Sequence, residues 1–518
     1  MPTAVDPSYK IEIVVPGSHF SGIHGIAFDN QDNLYGGSVA GSATFRIDKE
    51  TGDVSVFIPP PEGGADDLAF TPDGKVIWNA FFLGKVFMRG VDGKIVTLAE
   101  NLPGANSIAL SKDGRLFVTQ VFMGDALWEI DLSGQQMNRK IAENLGGLNA
   151  FRVGADGYIY GPLWFKGQVA KVDVQTGQVE VVADGFGVPA AAKFDSKGNL
   201  FVLDTKTGEV IQVDIKTGQK KVVAKMEPHL DNLAIDSKDR LFVSNMAWNG
   251  IYEIDVKTGK VRTVIEGKMA CPQGIAVASG SAGDVLYVAD NFAYKKIDAA
   301  TGSVQDPHNG ALFPNSACIC GDTVLMSGWF TNAVQVFDRK TDKLQYVIRD
   351  FKTPTGTLML DDGSILVAEV GTGSIVKIAD KVGKQRSTIA KDLAVPTYLA
   401  KAGLDAIYVT EFAAGKVTKV DLKTGDKIVV ASGLKAPKGI AVKPDGKLLV
   451  VDTGTRELLQ IDPASGEKKP LVANLAVGLP VPPGFMPAYM LTGVAVSDSG
   501  AIYITSDLEN AVYRISPK

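Results

Sequence analysis

The sequence predicts an all-β fold, a tandem pair of six-bladed β-propellers, and three observations predict it. The first is a repeated phrase, an apolar strand followed by a polar turn. Ile26-Ala27-Phe28 precedes Asp29-Asn30-Gln31-Asp32-Asn33, and Leu68-Ala69-Phe70 precedes Pro72-Asp73-Gly74. Ile108-Ala109-Leu110, Leu233-Ala234-Ile235 and Ile440-Ala441-Val442 precede turns of the same kind. The second is the period. Equivalents of Ala27 fall at Ala69, Ala109, Arg152, Lys193, Ala234, Ala276, Cys318, Leu358, Ala400, Ala441 and Ala495. They lie 40 to 43 residues apart, with one gap of 54 before the last, and that spacing is one four-stranded propeller blade. The third is alternation of period two in short Val/Ile/Tyr-rich runs, with no helix-period segment to compete.

Each unit can be justified strand by strand. The inner strand comes first, as in Gly274-Ile275-Ala276-Val277. A second strand such as Leu200-Phe201-Val202-Leu203 follows a tight turn. A glycine-containing loop leads to a third strand such as Val210-Ile211-Gln212-Val213-Asp214. Lys216-Thr217-Gly218 turns the chain into the fourth, Lys221-Val222-Val223-Ala224. Twelve such units are too many for one closed ring, so residues 1–267 are expected to form one propeller and 268–518 another. The last unit stops at Tyr513-Arg514-Ile515, one strand short, and Lys10–Val15 reads as an orphan fourth strand. That strand can complete either the sixth blade or the twelfth, and either closure protects sheet edges.

Composition narrows the function. The chain of 518 residues is 45% hydrophobic and 21% charged, with a net charge of −5. The two signs are interspersed, which argues against a nucleic-acid partner. No apolar run is long enough to span a membrane. No apolar leader is visible at the N-terminus. Three cysteines cannot build a disulfide framework, so a cytoplasmic location is expected.

The residues that begin the inner strands should ring each channel mouth. In the first six units they are His24, Asp66, Asn106, Asn149, Ala190 and Asp231; in the last six, Gln273, Asn315, Thr355, Thr397, Lys438 and Thr492. The first ring offers carboxylates, amides and an imidazole. Asp66, Asn106, Asn149 and Asp231 are candidate ligands for a divalent cation, calcium or magnesium. His24, Asp231, His229 and Asp66 are candidate acid–base groups. Asp67 and Asn232, one residue further on, could assist. The competing explanation is that polar residues at a channel mouth serve only to bond strand ends and ordered water. The second ring has no carboxylate and is not expected to hold a metal. Loops on the same face carry Phe81, Phe82, Phe122, Met123, Trp164, Phe165, Met246 and Trp248. Phe82, Phe122, Trp164 and Trp248, with Asn106 and Asn149, are expected to contact a hydrophobic small molecule; packing between blades is the alternative. The longer gap is filled by an apolar, proline-rich insertion, Leu475 to Pro487, either a lid or an interface. No phosphate loop or serine elbow is present, and no organic cofactor is expected.

The units resemble the six-bladed calcium-dependent superfamily that includes senescence marker protein/gluconolactonase, the strictosidine-synthase-like propellers and the NHL-like repeats, with streptogramin B lyase as a further relative. Asn106 and Asn149 match that family's amides in order. His24 stands where its glutamate would be, and Ala190 where its aspartate would be. The resemblance implies a hydrolase of lactones or esters. The missing glutamate fits better with a lyase or cyclase that needs only proton transfer in a shaped apolar site. The alternative function is a non-catalytic binding or scaffold propeller.

Overall fold

A computed structural model describes residues 2–308, 310–311, 313–481 and 485–518. Twelve antiparallel sheets form among the described residues, and the one helical segment is a 3-10 turn, Pro487–Tyr489. Two compact units result: Phe20–Gly267 with Pro480–Gly484, and Met1–His19 with Lys268–Leu479 and Phe485–Lys518. The expected boundary near Gly267 is present. The expected first span, 1–267, begins at Phe20 instead, because the N-terminal segment joins the other unit.

The first propeller holds six four-stranded sheets, from Ile23–Ile58 in blade 1 to Leu230–Ile265 in blade 6. Its ring closes by packing. Phe20, Ile23 and Ile26 of blade 1 share a core with Ala234, Phe242 and Ile251 of blade 6. Phe28 and Phe242 meet edge to face at 5.2 Å. Each such side chain stabilises by about 1.5–3 kcal/mol through the water it sheds, so a cavity at Phe242 would be the most direct way to open the ring.

The second propeller closes by strand pairing as well as by packing. Tyr9–Val15 pairs with the last strand, Ala511–Pro517, with Ile11 opposite Ile515 and Ile13 opposite Tyr513. The orphan strand therefore completes the twelfth blade. Thr3–Ala4 adds a fifth strand to the eleventh, beside Val472 and Ala473. Val15, Met269 and Ile275 then pack with Tyr503 and Val512 to close the ring.

Two glycines explain much of the repeat. Gly218 takes φ +72° in the Thr-Gly turn, a region side chains resist. Gly25 has another reason: a Cβ there would collide with the Asp66 carbonyl oxygen and Asp67 Cα. The glycine after a ring residue thus lets neighbouring inner strands converge on the axis. Gly274, Gly356, Gly439 and Gly493 do the same in the second propeller.

Candidate functional site

The mouth of the first propeller is built from the first residues of its inner strands. Gly25 brings blades 1 and 2 together, and Ser244 of blade 6 donates to the His24 carbonyl at 2.6 Å. His24, Asp66 and Asp231 are consequently brought together, their ligand atoms all within 4.8 Å of one another. His24 Nδ1 lies 3.3 Å from Asp231 Oδ2, with side-chain exposures of 10% and 11%. On the other flank Asn106 Nδ2 donates to Asp66 Oδ2 at 3.0 Å. Ser107 Oγ stands 2.7 Å from Asn106 Oδ1 and 2.9 Å from Asn149 Oδ1, linking the two amides. The Ala190 position carries no polar group and is fully buried.

Electrostatics follow from this crowding. Burial pushes the Asp66 carboxyl well above the usual carboxylate range; the charges of Asp231 and Asp67 add to this, and His24 opposes it. Burial works against the imidazolium of His24, but the Asp231 carboxylate, with Asp66, outweighs it and raises that pKa. The cluster couples titratable groups: burial favours the protonated form of Asp66, and the neighbouring carboxylates favour the protonated form of His24. Its protons leave in steps that belong to the group as a whole.

The same donors bear on the metal expectation. Two carboxylates and an imidazole suit a divalent cation. The amide oxygens of Asn106 and Asn149 are turned to Ser107, and Asn149 Oδ1 also accepts from Ala150 N at 2.9 Å. Of the four expected ligands, Asp66 and Asp231 converge, joined by His24.

Three loops of the same face form an aromatic train. Phe81 meets Phe82 at 5.3 Å and Phe122 at 6.4 Å. Phe122 meets Trp164 at 5.5 Å and Phe165 at 5.6 Å. These loops lie beside the inner-strand starts, since Val121 N donates to Gly104 O and Trp164 N to Gly147 O. Phe122 sits at φ +68°, a strained conformation for an aromatic residue. Trp248 is half-buried in the blade 6 loop, where Asn245 Oδ1 holds its N–H at 3.1 Å. His229 is outside the His24 cluster; its half-buried residue turns at φ +74°, with its N–H on Thr205 O. His19 belongs to the segment that joins the second propeller.

One repeated device escaped the sequence reading. Carboxylates ending the second strands accept the backbone N–H groups of the loop before the inner strand. Asp204 takes Gly187 and Val188, Asp290 takes Ala270 and Cys271, Asp452 takes Lys435 and Ala436, and Asp507 takes Gly478 and Leu479. The signal was an acidic residue recurring at the same register. These acids are loop caps, which separates them from Asp66 and Asp231.

The fold and site together define a tandem β-propeller with a buried imidazole–dicarboxylate cluster at one mouth. The profile of a family described as a repeat of unknown function, DUF6923, matches residues 91–229. No curated protein matches. Among solved structures, virginiamycin B lyase from Staphylococcus aureus is 11% identical, with 62% of this chain and 96% of that chain covered and a TM-score of 0.39. A streptogramin B lyase is 14% identical over 54% of this chain and 94% of its own, with a TM-score of 0.40. The extracellular domain of a protein assigned to one-component systems in B. thetaiotaomicron is 12% identical, over 96% of this chain and 76% of its own, with a TM-score of 0.36. No residue role is taken from these likenesses; the reading of the site rests on its own atoms.

Proposed function

We propose that the chain is an enzyme that moves a proton on a hydrophobic, ring-bearing small molecule at the mouth of the first propeller. The observation that carries this is the buried imidazole gathered with two carboxylates within 4.8 Å of one another, where burial favours the protonated form of Asp66. Asp231 fixes the orientation of the His24 imidazole, the neutral form of which takes a proton from the substrate. Asp66, protonated, returns one to the leaving or rearranging group. Phe82, Phe122, Trp164 and Trp248 would hold the apolar body, and the train of rings shields the reacting atoms from water. Elimination or cyclisation needs only these two transfers. Hydrolysis of an ester or lactone needs a water positioned by the same base. A divalent ion bound by Asp66, Asp231 and His24 would neutralise the carboxylates and polarise a substrate oxygen; the transfers above use the chain's own groups.

The test is a panel of aryl esters, lactones and cyclic depsipeptides assayed with the wild type, His24→Ala and Asp231→Asn. Loss of turnover in both variants supports the assignment, and full turnover in either overturns it. Activity surviving EDTA points to the metal-free version. A second reading, a binding propeller, draws on Met123 and Phe165, which are 41% and 59% exposed at the same mouth. It predicts that Trp164→Ala weakens capture of a protein partner and leaves small-molecule affinity unchanged.

A further inference from the structure

Below the mouth, the first channel holds two cations and one carboxylate. The residues equivalent to Ala27 are alanines in blades 2, 3 and 6, but Arg152 in blade 4 and Lys193 in blade 5. In the second propeller the same register carries no charge: Ala276, Cys318, Leu358, Ala400, Ala441 and Ala495. Ala69, Ala109 and Ala234 pack into the cores between blades, whereas the cations at the same register sit on adjacent blades and Lys193 reaches across to blade 2.

Among the described residues, the carboxylate that pairs with one of these cations, Lys193, is Asp67. Lys193 Nζ lies 3.7 Å from Asp67 Oδ1. That carboxylate is already engaged, accepting from Leu68 N at 3.0 Å and Ile108 N at 3.3 Å. Arg152 is influenced by Asp67, and Lys193 by both Arg152 and Asp231. Asp67 belongs to blade 2, so these groups meet across the axis. The Arg152 guanidinium has no hydrogen bond or ion pair among the described residues. Arg152 is exposed to solvent, while its neighbour Lys193 is buried and burial lowers its pKa. Asp67 moves the other way, raised by burial. A guanidinium with five donors, an ammonium beside it and one spoken-for carboxylate leave a net positive layer.

We infer that the channel of the first propeller contains an oxyanion-binding site formed by Arg152 and Lys193, which takes the carboxylate or phosphate of a small molecule. The guanidinium fork matches two oxygens of such a group, and the ammonium supplies a third contact. The backbone positions of Arg152 and Lys193 lie three residues, about 10 Å, further along the strands than the His24 ring, and the Lys193 ammonium reaches back to Asp67, the residue after Asp66. Its role as an anchor for an anionic substrate rests on the acid–base reading above; the site itself does not.

The experiment is isothermal titration of the full chain with benzoate and with inorganic phosphate, at constant ionic strength in chloride. Saturable one-to-one binding of either is expected, and whichever binds names the class. Arg152→Ala installs the residue that the sibling blades carry, so the fold should tolerate it; affinity should fall about tenfold or more. Lys193→Ala paired with Asp67→Asn avoids stranding a buried carboxylate and should weaken binding comparably, whereas Arg152→Lys should retain part of it. No saturable binding of either probe to the wild type, or wild-type affinity in Arg152→Ala, overturns the proposal. His24→Ala separates the two readings. It should bind the anion as the wild type does, so a failed catalytic assignment would leave this result standing, and a failed anion site would leave the turnover test untouched.

Discussion

The inner strands of both propellers begin with a ring of buried polar residues, and the two rings meet opposite fates. In the second, the chain consumes every group. Thr355 Oγ1 donates to Pro396 O at 2.9 Å, and Thr397 Oγ1 bonds Thr410 Oγ1 at 2.9 Å. Asn315 Nδ2 donates to Gln273 Oε1 at 3.1 Å. The segment after the insertion settles on the ring: Leu491 N donates to Gln273 Oε1 at 3.0 Å, and Lys438 Nζ donates to the Met490 carbonyl. Asp507 holds Gly478 N and Leu479 N at the insertion's start. Trp329 stacks on Tyr489 at 4.8 Å and 23°. Pro482–Gly484 of the insertion lie outside the described residues. In the first ring three titratable groups face one another instead. Buried polar groups must find partners, and the difference is whether backbone donors and acceptors supply them or titratable neighbours do.

The largest effect that could break this contrast is on turnover. His24→Ala or Asp231→Asn should lower it by about 10²–10⁴-fold, the usual worth of a placed acid or base. Gln273→Ala, the equivalent change in the second ring, should leave it within about twofold of the wild type, an allowance set by the context-dependence of such effects. Equal losses from both rings, measured on one substrate, would show that the distinction between them is not chemical.

Lys438 is the second test. Its ammonium is fully buried, with burial lowering its pKa against the pull of Asp507 and Cys271. Lys438→Met removes the donor to Met490 O and the cation facing Asp507, and should destabilise the second unit by about 3 kcal/mol. Urea unfolding followed by tryptophan fluorescence reads this. An unchanged midpoint would mean that the segment after the insertion is not held from below.

The pH response sharpens the same comparison. Asp66 binds its proton more tightly folded than unfolded, so its contribution to stability is largest below the unfolded pKa of about 3.9 and falls as pH rises toward the folded value. Asp66→Asn should remove that loss, and should flatten the alkaline limb of the pH–rate profile, where the neutral carboxyl is needed. Asp290, pushed up to about 6 chiefly by burial, is the control in the second propeller. Asp290→Asn should flatten the fall in stability between about pH 4 and pH 6 and leave the rate profile alone. A pH–rate profile unchanged in Asp66→Asn would remove Asp66 from the proton path.

Much of this was legible in the residues, for physical reasons. The blade repeat is written in strand alternation and turn glycines, which are local. The ring was legible because its register is fixed relative to the strand, and the convergence of His24, Asp66 and Asp231 followed from that register. Two things were not. Asp507 and Asp290 lie at second-strand ends, and only the paired backbone shows that they cap loops and add carboxylates beside a ring that has none. Arg152 and Lys193 occupied the marker register in plain view, but a cation on a strand usually means a solvated face. Their meaning depends on three blades facing one axis. His229 was grouped with His24 because blades 1 and 6 adjoin; adjacency of blades does not bring every loop residue to the ring.

The smallest effects test the aromatic residues, and here the two mouths should diverge in kind. Trp329 is packing: it stacks on Tyr489 and meets Phe330 edge-on at 5.7 Å and Phe485 at 6.3 Å. Trp329→Ala should cost about 1 kcal/mol beyond the lost area and speed hydrogen exchange across 485–491. Phe122 also touches rings, but its backbone is held at φ +68°, a conformation that costs about 1–3 kcal/mol for a side chain and little for glycine. Phe122→Gly should therefore be near neutral in thermal unfolding, the relieved strain offsetting the lost contacts, while substrate affinity falls. A strained backbone that presents a ring to a mouth is sensible if the ring serves a ligand, since strain is kept where the surroundings enforce it and function uses it. If Phe122→Gly destabilises as much as Trp329→Ala and leaves affinity intact, the aromatic train of the first mouth is packing too, and the contrast between the two propellers narrows to the three titratable residues at His24, Asp66 and Asp231.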